Sequence, residues 1–147
     1  FKATMGTNFT QNSSMAQLEL VLDSHPKNIA EVEPFVAQAA KAFDISEDVF
    51  GIMLITITEA VSNAILHGNC ARAGKQVHVS TRCAGGRISF VVRDEGNGFD
   101  PDSLPDPTSP CRLAVEGGRG VYLMRSLCDC VKFSDGGRVV ELEFSLS

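Results

Sequence analysis

The chain has 147 residues, of which 44% are hydrophobic, and this is enough to build one globular domain with a core. Its formal net charge of −5 and isoelectric point near 5.1 argue against a general nucleic-acid-binding or anionic-membrane-binding surface. No apolar run approaches the roughly 18 residues that a membrane span requires, and no signal peptide is visible. We therefore expect no direct nucleic-acid contact and no membrane association.

The five cysteines are odd in number and scattered along the chain. Cys128 and Cys130 form the only close pair, and without a second cluster of cysteine or histidine they do not predict a metal site. This usage is typical of reduced thiols, which predicts a cytoplasmic location.

The first 15 residues are polar and show no periodicity, so we expect residues 1–15 to be a disordered tail or a cloning remnant and residues 16–147 to be one domain. Residues 17–22 alternate between polar and apolar side chains, which predicts a half-buried strand. Asn28 and Glu31 have the spacing of a capping box, which predicts a helix that starts there and ends near residue 43. Pro34 inside that segment predicts a bend or a later start.

A second helix is predicted to begin at Ser46, a favourable capping residue, and to end near Gly68. This helix is largely apolar and should be buried on one side. Its polar residues Glu59, Asn63 and His67 are spaced four apart, so they form one stripe along the helix. Buried polar groups need partners, and a core helix with satisfied polar residues would also have this pattern.

From residue 76 the hydrophobic period becomes two, and two such runs around Ala84-Gly85-Gly86 predict a β-hairpin. Residues 101–110 hold four of the six prolines and predict irregular structure. Residues 119–128 predict a short helix, and the last strands form a second hairpin around Asp135-Gly136-Gly137. The order β-α-α-β-β-loop-α-β-β predicts a two-layer α/β (α+β) sandwich with a mostly antiparallel sheet and the helices on one face.

Three stretches could carry chemistry. The first is the pair Glu59 and Asn63, the second is the strand end and loop at residues 94–100, and the third is the glycine-rich segment 116–120 before a helix. Glycines before a helix let the backbone approach an anion, and the free N–H groups favour phosphate. The loop at 94–100 could also be a tight turn, but it lacks the register of a calcium-binding loop.

In this order and spacing, the three stretches resemble the GHKL ATP-binding superfamily, which has the Bergerat fold. TEAVSNAILHGN is similar to its N box, RDEGNGFDP to its first glycine box and GGRGVYLMRSLCD to its second. The resemblance covers about residues 17–145. Within the superfamily, the form E-A-x-x-N-A-x-x-H-G is most similar to the bacterial anti-sigma-factor serine kinases.

The resemblance implies roles for individual residues. Glu59 would be the general base that takes the proton of an attacking serine hydroxyl, and Asn63 would hold Mg²⁺ beside the phosphates of ATP. Asp94 would accept a hydrogen bond from the adenine amino group. The resemblance also implies an ATP lid at residues 101–116, and these further nucleotide-binding residues: Gly96, Gly98, Gly118, Arg119, Gly120 and Val121.

The sequence departs from the family pattern at Arg138, where these kinases usually have a threonine whose hydroxyl approaches the nucleotide. Arg138 could instead face phosphate or solvent. The proline-rich lid should be stiff. His67, at the predicted helix end, is expected to be structural. The chain has neither a P-loop nor the H-R-D and D-F-G elements of eukaryotic-type kinases.

The resemblance implies an ATP-dependent protein-serine kinase that phosphorylates a STAS-type anti-sigma-factor antagonist, sequesters a sigma factor and forms a homodimer. Two alternatives remain open. One is a non-catalytic nucleotide-binding module that only switches partners, although such a module has no need for Glu59. The other is the ATP-binding domain of a larger sensor kinase, although residues 1–15 do not predict the dimerisation helix that usually precedes one.

Overall fold

The computed structural model describes residues 3–9, 16–97 and 119–146, in which an antiparallel sheet of six strands packs against three helices. The strand order across the sheet is β1-β2-β3-β4-β6-β5, and every adjacent pair is antiparallel. The predicted two-layer sandwich is confirmed. The elements are β1 (Ala3–Phe9), β2 (Ala16–Asp23), α1 (Val32–Ala42), α2 (Glu47–Asn63), β3 (Gln76–Ala84), β4 (Arg87–Arg93), α3 (Arg119–Leu127), β5 (Cys130–Ser134) and β6 (Val139–Ser145).

The core lies between one face of the sheet and the helices. Alternate residues of β2, β3, β4 and β6 are buried, while the residues between them are exposed or half-buried, as period-two patterning requires. Phe90 at the centre of the sheet makes edge-to-face contacts with Phe35 of α1 and Phe144 of β6, with ring centroids 6.2 and 6.3 Å apart. The aromatic contacts thus join the helical layer to two neighbouring strands of the sheet.

The first helix starts later than the capping box at Asn28 predicts. His25 caps a 3₁₀ turn over Pro26–Glu31, and α1 begins at Val32. Asn28 is buried and its side chain donates to the backbone oxygen of Asp23 (2.9 Å), so it ties the turn to β2 instead of capping α1. Pro34 lies in the first turn of α1, where a missing N–H removes no helical hydrogen bond. The later start that Pro34 predicts is confirmed.

The second helix begins as predicted, because the Ser46 hydroxyl accepts a hydrogen bond from the Val49 backbone N–H. It continues through one π-helical turn, Ala64–Gly68. The combined stretch Glu47–Gly68 has 22 residues and contains an 18-residue window with a mean hydropathy of 1.8. By length and composition alone it could cross a membrane, so the expectation of no such run is wrong. Here it packs between α1 and α3 over the sheet, as an apolar core helix does.

Two further expectations fail. Residues 3–9, predicted as part of a disordered tail, form strand β1, because pairing with β2 satisfies backbone groups that would otherwise form an open edge.

Cys70 is disulfide-bonded, whereas the sequence predicts reduced thiols; Cys83, Cys128 and Cys130 are free. Sequence separation does not reveal which cysteines lie close enough to bond. The remaining predicted boundaries of the domain stay predictions.

Candidate nucleotide-binding and phosphotransfer site

The residues predicted to do the chemistry lie on the half-exposed side of α2. Ser46 and the acidic first turn start this helix, and its apolar side, with Met53, Ile57 and Val61, is buried against the core. That packing leaves Glu59 and Asn63 only half-buried. Both side chains can therefore be reached from outside while the helix that carries them is held rigidly.

The start of α3 lies directly against these two side chains. A Cβ placed on Gly120 would overlap the Glu59 carboxylate and would stand 2.8 Å from Asn63 Nδ2. The next residue, Val121, is buried in the core and holds this end of α3 down. The structure thus brings Glu59, Asn63 and Gly120 together, although Gly120 is 57 residues beyond Asn63 in the sequence.

Asp94, the predicted adenine-recognition residue, follows the last residue of β4 and is 7% exposed. Its backbone N–H donates to the Arg138 carbonyl (2.9 Å), and its Oδ1 accepts the Gly96 N–H (2.9 Å). Burial raises the pKa of the Asp94 carboxyl, while the Gly96 N–H and the cations of Arg138 and Lys75 oppose this rise. The buried carboxylate is thus held in place by backbone hydrogen bonds on both sides of it.

Two glycines close the gap between Asp94 and the end of α2. A Cβ on Gly68 would overlap the Asp94 carboxylate, and a Cβ on Gly96 would overlap the Gly68 carbonyl. Only residues without side chains allow this approach. The end of the helical segment that contains Asn63 and the loop after β4 are therefore in direct contact.

Three residues that organise this region were not predicted as such. Asn69 is buried, and its side chain donates to Ser24 Oγ (2.6 Å) and Gln76 O (2.9 Å) and accepts from the Glu95 N–H (2.7 Å). Lys75 donates to the Glu95 carbonyl (2.7 Å). In a single sequence, nothing about a polar residue just past a helix end indicates that it will hydrogen-bond to such distant residues.

Arg138 is the third of these residues. Its Nε donates to the Gly96 carbonyl (2.8 Å) and its Nη2 to the Asn97 carbonyl (3.2 Å). Of the two orientations open from the sequence, facing phosphate or facing solvent, neither anticipates this contact with the loop after Asp94. The departure from the family pattern is therefore a structural feature of the nucleotide region.

His67, predicted to be structural, is half-buried one helical turn beyond Asn63. Its Nδ1 is shielded from water and has no hydrogen-bond partner among residues 3–9, 16–97 and 119–146. Burial lowers the pKa of the ring to about 4, so it is neutral near pH 7. Nothing in this geometry assigns it a chemical role.

Several predicted site residues lie outside the residues that the structure describes. These are Gly98, Gly118 and the whole predicted lid, 101–116. Arg119 is the first residue of α3. Within the described ranges, no group of three or more His, Cys, Asp or Glu could hold a metal ion.

The fold agrees with comparison to known proteins. Residues 22–144 match the model of the family described as the histidine kinase-like ATPase domain, and the chain belongs to that family.

Among individual proteins, the chain is 30% identical over 139 residues to the anti-sigma F factor of Heyndrickxia coagulans, covering 89% of this chain and 92% of the relative. It is 26% identical over 134 residues to the serine-protein kinase RsbW of Bacillus velezensis, covering 87% and 84%. The match to the same-named kinase of Bacillus subtilis is 26% over 121 residues, covering 78% and 76%.

Proposed function

We propose that this protein is an ATP-dependent protein-serine kinase that acts as an anti-sigma factor. The observation that carries the proposal is the meeting of Glu59, Asn63 and Gly120 at one point, with Asp94 held against Gly68 at the C-terminal end of the same helical segment. The relatives named as serine-protein kinases and anti-sigma factors support it, since the chain spans most of their length.

ATP would lie between the two clusters. Asp94 would accept a hydrogen bond from the adenine amino group, with Gly96 and Gly98 giving the base room. Gly118, Arg119, Gly120 and Val121 would place the start of α3 beside the phosphates, where backbone N–H groups and the helix dipole favour negative charge. The Asn63 side-chain oxygen is a hard ligand suited to Mg²⁺, which when bound neutralises phosphate charge.

Glu59 would be the catalytic base. Its carboxylate is half-exposed and lies against Gly120, so a serine hydroxyl brought to the γ-phosphate would meet it there. The serine oxygen bonds to the γ-phosphorus, the bond from that phosphorus to the β–γ bridging oxygen breaks, and ADP leaves. The serine proton passes to Glu59. This base can reach the proton because it lies one helical turn from Asn63, which would face the phosphates.

The substrate would be a serine of a STAS-domain anti-sigma-factor antagonist. Phosphorylation adds close to two negative charges to the antagonist and would release it, because like charges and desolvation disfavour the complex. The kinase would then hold the sigma factor, acting as a homodimer in the cytoplasm. These partners, the dimer and the location stay proposals.

The test is Mg²⁺-ATP binding by calorimetry together with transfer of labelled γ-phosphate to a purified STAS-domain protein. Glu59→Gln should bind ATP within about threefold of wild type and lose transfer by a factor on the order of 10² to 10⁴. Asn63→Ala should weaken Mg²⁺-ATP binding. Glu33→Gln, at an exposed position on α1, is the matched control and should change neither.

Three results would contradict the proposal in different ways. ATP binding without transfer to any serine would favour the non-catalytic binding module. Transfer to a histidine would favour the sensor-kinase domain. If Mg²⁺-ATP does not bind, the proposed nucleotide site itself is contradicted.

A further inference from the structure

The turn between β5 and β6 places the Arg138 side chain in a defined direction. Asp135, Gly136 and Gly137 have positive φ angles of 50°, 64° and 89°, a sharp reversal that two of these three residues can adopt without a Cβ penalty. Arg138 Nη1 donates to the Asp135 carbonyl (2.9 Å), and its distance to Asp135 Oδ1 is 3.6 Å. These two contacts hold the guanidinium close to the turn Asp135–Gly137 that precedes Arg138.

From this anchor Arg138 contacts the segment that carries Asp94 at both ends. Its backbone oxygen accepts the Asp94 N–H (2.9 Å), while its Nε and Nη2 donate to the consecutive carbonyls of Gly96 and Asn97. These carbonyls lie beyond the last paired residue of β4, so the planar fork of the guanidinium supplies hydrogen bonds that the sheet does not. Arg138 therefore contacts both ends of a four-residue segment whose second residue, Glu95, is held by Asn69 and Lys75.

This contact has a consequence for nucleotide recognition. Gly96 donates to Asp94 Oδ1, so the position of the Gly96 backbone sets the direction of the carboxylate. Without the guanidinium, the Gly96–Asn97 end of the segment would lose two hydrogen bonds and sample more conformations, and binding would have to order it at a cost in affinity. If Arg138 already holds the segment before the nucleotide binds, this cost in affinity is avoided.

We propose that Arg138 is a positioning residue that clamps the loop 94–97 and thereby pre-organises the adenine-binding side of the site, in place of a direct contact with the nucleotide. This inference rests on the proposed ATP site for its functional part, whereas the clamp on the loop is a property of the protein without nucleotide.

The first test compares the affinities of wild type and Arg138→Gln for Mg²⁺-ATP, ADP and AMP. A clamp on the base-binding loop predicts a loss of about tenfold that is the same for all three nucleotides, because each carries the same adenine. Arg138→Lys should recover only part of the loss, since an ammonium group cannot span two carbonyls as a guanidinium does. Arg87→Gln is the matched control, because Arg87 is an exposed arginine paired with Glu143.

The second test does not depend on nucleotide. In the nucleotide-free protein, the Gly96 amide should exchange its hydrogen about tenfold faster in Arg138→Gln than in wild type or Arg87→Gln, as followed by NMR. Equal thermal unfolding temperatures of the two variants would show that global stability is not the cause.

A loss of affinity that grows with the number of phosphates would overturn the proposal and assign Arg138 to the phosphates. Unchanged affinities with an unchanged Gly96 exchange rate would overturn it as well. If wild type binds no nucleotide, the proposed function fails, and the exchange rate alone decides whether the clamp exists.

Discussion

The backbone of Gly96 lies directly against the backbone carbonyl of Gly68, with no space for a methyl group between them. This contact joins the end of the α2 segment to the loop after β4. The two stretches that would hold the ends of a nucleotide are therefore coupled through main-chain atoms, which cannot move aside as a flexible side chain can.

Gly96→Ala should lower the free energy of unfolding by about 3 kcal/mol or more, because the new Cβ meets a backbone oxygen in a packed region. Urea denaturation measures this. Gly74→Ala is the control: its site has open space around it but a φ of +86°, so only backbone strain of about 1 kcal/mol should result. A cost for Gly96→Ala no larger than the control would contradict the packing argument.

Gly120→Ala should separate activity from stability. The new Cβ would push against the ends of the Glu59 and Asn63 side chains, which can rotate, so the fold should survive with a nearly unchanged melting temperature. Phosphoryl transfer should fall by about tenfold or more, because small misplacements of catalytic groups are costly.

Gly51→Ala is the matched control for Gly120→Ala. Gly51 also lies in a helix, α2, and a Cβ added there would have no atom within 4 Å, so alanine should be neutral or stabilising by up to about 1 kcal/mol. Full activity in Gly120→Ala would show that the contact with Glu59 is not needed for transfer.

Asn69→Ala should destabilise the protein by about 2–4 kcal/mol, because it removes a buried side chain that makes three hydrogen bonds, one buried and two partly buried. Asn69→Asp keeps the acceptor for the Glu95 N–H but loses both donors, so it separates the two halves of the network. Chemical denaturation of both variants gives the comparison. A change below about 0.5 kcal/mol for alanine would mean that the network contributes little.

Stability should fall as the pH drops from about 7 to 4, in part through His67. Its folded-state pKa of about 4 lies below the ordinary value of 6.5, so the unfolded chain binds a proton first and acid favours unfolding in that window. The full shift would correspond to about 3 kcal/mol, and solvent screening of the half-exposed ring reduces this to about 1–2 kcal/mol.

Urea unfolding at pH 7 and pH 4.5 checks the role of His67. The loss of stability between these values should shrink by about 1 kcal/mol in His67→Gln relative to wild type. His78→Gln, at an exposed position on β3, should leave the loss unchanged. If the two variants respond alike, His67 is not the group responsible.

Local sequence signals were sufficient to predict most of the regular elements. Period-two runs located β2, β3, β4 and β6, because alternating burial requires alternating polarity. The Ser46 cap was also readable, since capping depends on neighbours three residues apart. The four-residue spacing of Glu59 and Asn63 likewise placed both on one side of α2, because helical periodicity depends only on neighbouring residues.

The way these parts meet depends on tertiary packing. Strand β1 has no alternating apolar pattern and is stabilised by the unpaired edge of β2. The functions of Asn69 and Arg138 likewise depend on amide and carbonyl groups 26 and 42 residues away. Backbone groups are the same in every residue, so a sequence records no sign of which distant carbonyl a side chain will contact. Local periodicity is written in the order of residues, whereas these contacts exist only once the sheet and helices have packed.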